Sequence, residues 1–112
     1  MAKQDEQERR HDFDVLEIYE RDTGQRLGHL ADLTEDTLTM ARHEPLETGR
    51  VYALRIAWDL DDGWTENIEV NADALTCRSS IHPGMYDVEF RLQDPSAEAR
   101  LQIERLIEAS RS

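Results

Sequence analysis

The residues best placed to do chemistry fall in one stretch, Gly28 to Met40, GHLADLTEDTLTM. It runs apolar, then Asp32-Leu33-Thr34-Glu35-Asp36-Thr37, then apolar again. A carboxylate and a hydroxyl two residues apart, where one predicted strand ends and the next begins, bond nearby backbone groups and hold a tight corner without any ligand. The one tight basic cluster, Arg9-Arg10-His11, lies far upstream in a polar arm.

Other groups offer less. Asp59-Leu60-Asp61-Asp62-Gly63 has the texture of a calcium loop, but Gly63 comes one residue early and Val70 stands where a bidentate Glu belongs. A hairpin turn is expected there instead. Histidines at positions 11, 29, 43 and 82 have no metal-ligand spacing, and the lone Cys77 excludes a disulfide or a zinc site built on paired cysteines. Cys77 is expected to be a small buried hydrophobe. With no Ser-His-Asp order, metal set or isolated carboxylate pair in an apolar setting, neither an enzyme nor a metal site is expected.

The bulk composition narrows the partners. A chain of 112 residues makes one domain with a single small core. Its 25 acidic residues against 13 basic ones give a net charge of −12. That charge repels phosphates, so DNA, RNA and anionic membrane surfaces are not expected partners. The N-terminus, MAKQDEQERRHDFD, has no apolar signal region and no run reaches spanning length. A cytoplasmic protein without membrane insertion is the expectation.

The elements that must position the corner are short strands. A polar arm covers Met1 to Asp14, followed by a first strand over Val15 to Arg21 and a hairpin turn at Asp22-Thr23-Gly24-Gln25. The second strand spans Arg26 to about Asp32 and the third Thr37 to Ala41, before a loop over Arg42 to Gly49. From Arg50, Tyr52, Leu54, Ile56 and Trp58 share one face against Val51, Ala53 and Ala57 on the other, which predicts a central strand. Two further strands are predicted over Trp64 to Val70 and Ala74 to Ile81, then a turn at His82-Pro83-Gly84. Tyr86, Val88, Phe90 and Leu92 alternate with charged residues, as in a strand buried on one side only.

After Asp94-Pro95-Ser96 the period changes. Ala99, Ile103, Leu106 and Ile107 fall at i, i+4, i+7 and i+8, predicting one amphipathic helix over about residues 96–110. Six or seven antiparallel strands and one C-terminal helix imply an all-β small barrel, spanning residues 15–112, with the helix over an open end.

A resemblance joins these features. Thr23-Gly24, Leu27-Gly28 and Leu30-Ala31-Asp32-Leu33-Thr34 follow the rhythm of PilZ domains, and Tyr86-Asp87-Val88-Glu89-Phe90 resembles their late strand. The corner resembles the family's D-x-S-x-x-G signature, with Asp32 matching, Thr34 in place of Ser and Thr37 in place of Gly. Such domains are six-stranded barrels with a C-terminal helix, and their Asp, Ser and Gly line a site for cyclic di-GMP. The family's arm adds R-x-x-x-R, whose guanidinium forks clamp phosphate and stack on guanine. Here Arg9 is followed four residues later by Phe13 and Arg10 by Asp14, so neither pair completes the motif.

A charge-assisted bond from Arg contributes about 1.5 to 3 kcal/mol, so losing one weakens binding by about ten- to a hundredfold. Asp14 opposes the ligand's negative charges, and a β-branched Thr37 resists any positive φ that Gly supplies in the family. The resemblance therefore implies a bacterial signalling adaptor that binds another signalling or motility protein, with weak or no cyclic di-GMP binding. No cofactor is expected. The alternative it implies is a cyclic di-GMP receptor, with Arg9 and Arg10 in an altered register working beside Asp32, Thr34 and Thr37. Trp58 and Trp64 flank one turn, and core or barrel-mouth packing is expected of them rather than stacking on a guanine.

Overall fold

The computed structural model describes residues 16–59 and 65–111. Six strands, β1 (Glu17–Glu20), β2 (Arg26–Leu33), β3 (Thr37–Arg42), β4 (Val51–Asp59), β5 (Thr65–Ser79) and β6 (Tyr86–Gln93), precede one helix, α1 (Ala97–Arg111). They close into an antiparallel barrel in the order β1-β2-β3-β6-β5-β4. The expected barrel with a C-terminal helix is present, with six strands rather than seven.

The count drops because two predicted strands are one. Asn71 and Asp73 are turn-prone residues, but Ala72 between them is buried, and the pairing with β4 runs on through Ala53↔Asn71, Tyr52↔Ala72 and Val51↔Asp73. Beyond Ala74 the ladder with β6 takes a β-bulge: Ala74 pairs with Phe90 and Thr76 with Glu89, leaving Leu75 as the extra residue. At the other end of the chain β1 is shorter than predicted. Arg21 already belongs to the turn, while Val15 and the arm lie outside the described residues. Gly24, at φ 76°, closes that turn, donating its N–H to the Glu20 carbonyl at 2.8 Å.

Inward side chains fill the barrel. Ile18, Leu30, Leu38, Met40, Leu54, Ile56, Ile68, Val88 and Phe90 are fully buried. Tyr52 meets Phe90 edge to face with ring centroids 6.0 Å apart, and its hydroxyl donates to the Glu47 carbonyl at 2.7 Å. The helix starts where Ser96 Oγ accepts from the Ala99 N–H at 3.0 Å. From there Ala99, Ile103 and Leu106 join the core, with Ile107 partly buried against it. Gln102, buried on the same face, donates from Nε2 to Glu66 Oε2 at 2.8 Å, and Arg105 reaches that carboxylate at 2.6 Å. The helix is thus pinned to the first turn of β5.

Charge works against compaction. The ion pairs of Arg26 with Glu17 and Arg50 with Glu47 lie at the surface, where each contributes about 0 to 1 kcal/mol. These pairs are already counted in the net charge of −12, and the repulsion among the excess carboxylates remains. The melting temperature should rise as sodium chloride is added from near zero to about 0.1 M, where the Debye length falls to about 10 Å. Scanning calorimetry across that range checks this, and a flat or falling curve would contradict it.

Candidate functional site

Asp32, Thr34 and Thr37 lie on the corner between β2 and β3. Leu30 and Leu33 are both buried although three residues apart, because the register slips at Ala31: Leu30 pairs with Met40 and Asp32 with Thr39. That bulge turns Ala31 and Asp32 outward together. Asp32 is exposed, and its carboxylate makes no hydrogen bond or ion pair with a described residue.

Thr34 is fully engaged by the corner. Its Oγ1 accepts from the Asp36 N–H at 3.2 Å and the Thr37 N–H at 2.9 Å, and lies 2.8 Å from Thr37 Oγ1. A hydroxyl has two acceptor lone pairs and one proton. With both lone pairs taken by amides, Thr34 Oγ1 has no acceptor site left for a ligand. Thr34 N–H donates to the Thr37 carbonyl at 2.9 Å, and Leu92 N–H donates to the Asp36 carbonyl at 2.9 Å, tying the corner to β6. Among the described non-glycine residues only Asp94 has positive φ. The steric objection to Thr37 therefore does not arise here, since Thr37 opens β3 in extended conformation and pairs with Arg91.

The Leu30 N–H donates to the Leu16 carbonyl at 2.9 Å, so the chain enters the barrel two residues from Asp32. Arg9 and Arg10 themselves, with Phe13 and Asp14, lie outside the described residues. So do Trp64 and all of the expected turn at Asp61-Asp62-Gly63. Trp58 and Cys77 are each partly buried against the core, as expected of packing residues, with Cys77 less enclosed than a buried hydrophobe. No group of three potential metal ligands is found among the described residues. None of the described helices is long and apolar enough to cross a membrane.

Sequence reading missed one feature. A cleft of about 340 Å³ lies between the outer face of β5, at Asn67, Glu69 and Asn71, and the first turns of α1, at Ser96, Glu98 and Gln102. Arg21 closes one side, donating from Nη2 to Asn71 Oδ1 at 2.7 Å. Its signal was the period-two polar run Asn67, Glu69, Asn71, which alone marks only a solvated strand face.

No family model matches the chain, and no curated protein matches its sequence. A solved structure, that of the Bacillus subtilis Inhibitor of motility (MotI/DgrA), superposes with a TM-score of 0.64 at 14% identity. The match covers 86% of this chain and 44% of that one, so this chain spans less than half of that protein's length. The fold is PilZ-like. At that identity the likeness concerns architecture, and within this PilZ-like barrel the corner of Asp32, Thr34 and Thr37 stands on the β2–β3 connection, closed on itself by its own hydroxyls.

Proposed function

We propose that this chain is a PilZ-like signalling adaptor that acts by binding another protein, with weak or no cyclic di-GMP binding. The observation that carries the reading is the closed corner: both lone pairs of Thr34 Oγ1 are held by the amides of Asp36 and Thr37. A ligand using that hydroxyl must first break these bonds, each contributing about 0.5 to 1.5 kcal/mol. The net charge of −12 opposes a doubly charged nucleotide, and Asp14 stands where an arginine four residues after Arg10 is needed. An inhibitor of motility shares the fold, and a signalling or motility protein is accordingly the proposed class of partner.

The receptor reading is favoured by two other observations. Asp32 presents an exposed carboxylate, and Leu16, seven residues after Arg9 in the sequence and six after Arg10, bonds to Leu30 two residues from it. Isothermal calorimetry of the full chain separates the two. The adaptor account expects no heat at micromolar cyclic di-GMP, and measurable binding by Asp14→Arg, which removes an opposing charge and supplies a fork for phosphate. Binding by the parent that Arg10→Ala abolishes would replace the adaptor with the receptor.

A further inference from the structure

β5 is longer than the strand beside it. Its register with β4 ends at Val51↔Asp73, and the last bonds on that side join Ala74 to Gly49 and Arg50. Beyond them β5 pairs only with β6, from Thr76↔Glu89 to Ser79↔Tyr86. Along Leu75 to Ser79 the barrel therefore presents an edge with no strand beside it among the described residues. Ser80 N–H donates to the Met85 carbonyl at 2.9 Å. Antiparallel ladders alternate, so counting back from that bond faces the backbone of Arg78 and Thr76 to β6 and that of Cys77 and Ser79 to the open side.

Proteins guard an edge with charges, above all lysine, with proline or with a bulge, and of these this edge carries Arg78 and the bulge at Leu75. Leu75-Thr76-Cys77-Arg78-Ser79 has no lysine, proline or carboxylate. Apolar side chains surround it instead: Leu75 is 40% exposed, Val51 45% and Ile81 92%. The charge here is also unlike that of the rest of the chain. No carboxylate occurs between Asp73 and Asp87, in a protein with 25 acidic residues, and the interval holds Arg78 and His82.

We propose that the open edge of β5 at Leu75 to Ser79 accepts an extended strand of a partner protein in which apolar and carboxylate side chains alternate. This rests on the adaptor reading and names the partner's chemistry. The exposed backbone groups of Cys77 and Ser79 select an extended strand, since only a strand meets them in register. Leu75, Val51 and Ile81 supply apolar contacts. Arg78 selects carboxylates: Asp87 faces it from β6, and a strand added at about 4.8 Å on its other side lies about 9 to 10 Å from Asp87 and Glu89. At that separation exposed charges are largely screened in about 0.1 M salt. A second copy fits poorly, because its own edge brings another Arg78 and no carboxylate, and two bodies of charge −12 repel.

The probe is a capped heptapeptide alternating Glu and Val, titrated into the isotopically labelled full chain and followed by amide resonances. Saturable shifts are expected at Leu75 to Ser79. A peptide alternating Lys and Val should bind at least about tenfold more weakly, the equivalent of about 1.4 kcal/mol. Leu75→Lys, at an exposed position, should keep the fold and weaken the Glu-Val peptide by a similar factor, as should Ser79→Pro, which removes an outward N–H. No shift at the edge with either peptide would overturn the proposal. Equal binding of the two peptides would overturn the charge selection, and edge shifts that change on dilution without peptide would make the occupant a second copy. Absent peptide binding sinks only the edge, whereas heat with cyclic di-GMP sinks the adaptor reading whatever the peptide does.

Discussion

Phe90→Ala is expected to destabilise the barrel by about 3 to 5 kcal/mol, through lost burial and the cavity left behind. Phe90 is 0% exposed on β6, paired with Leu38 on β3 and Ala74 on β5, and its ring meets the edge of Tyr52. Strands on both sides are tied by their ladders, so the walls cannot collapse into the gap. Leu106→Ala should cost about 2 to 5 kcal/mol by the same reasoning, since Leu106 is 1% exposed where the helix plugs the barrel. A domain this size has about 5 to 15 kcal/mol in total. Urea unfolding monitored by circular dichroism checks both, and midpoints equal to the parent's would contradict the packing described.

Gly28→Ala should be comparably damaging, for lack of space rather than backbone freedom. A Cβ at Gly28 would lie 2.5 Å from the Ala41 carbonyl oxygen, 2.9 Å from Met40 Cγ and 3.0 Å from Arg42 Cβ. The nearest of these is backbone on the adjacent strand, so relief requires β2 and β3 to part. Overpacking of this kind costs about 1 to 3 kcal/mol and occasionally more, and a rigid neighbour puts Gly28→Ala at the upper end. Gly24→Ala is the contrast: no atom lies within 4 Å, and its penalty is the left-handed φ of 76° alone, about 1 to 2 kcal/mol. Thermal unfolding should rank Gly28→Ala below Gly24→Ala. The reverse order would mean that β2 and β3 are not in such close contact.

What was legible in the sequence followed periodicity. Val88, Phe90 and Leu92 are buried at every second residue of β6, and Ala99, Ile103 and Leu106 at helical spacing, because one face of each meets a single core. The illegible parts are those where the ladder breaks its own period. The bulge at Ala31 turns Asp32 out, and β5 runs in register with β4 through Asn71 to Asp73, where a break was expected, before bulging at Leu75. Both depend on what the partner strand does, which no local pattern records. Gln102 is buried for a similar reason, its amide answering Glu66 from a distant strand. Thr34 and Thr37 are joined at the corner, while Asp32 stands outside their bonds. Which hydroxyl serves which amide was not readable, since it is set by the tight turn of Glu35 and Asp36 and its tie to Leu92.

The central claim is that the acceptor sites of the Thr34 hydroxyl are committed to the corner. Titrating cyclic di-GMP into the full chain while following the amide resonances of Asp32, Thr34, Asp36 and Thr37 tests it most directly, because those amides report the bonds to Thr34 Oγ1. At micromolar nucleotide these four resonances are expected to stay in place. Saturable shifts of Asp36 and Thr37 that track those of Asp32 would show the corner opening to a ligand, and would contradict the account.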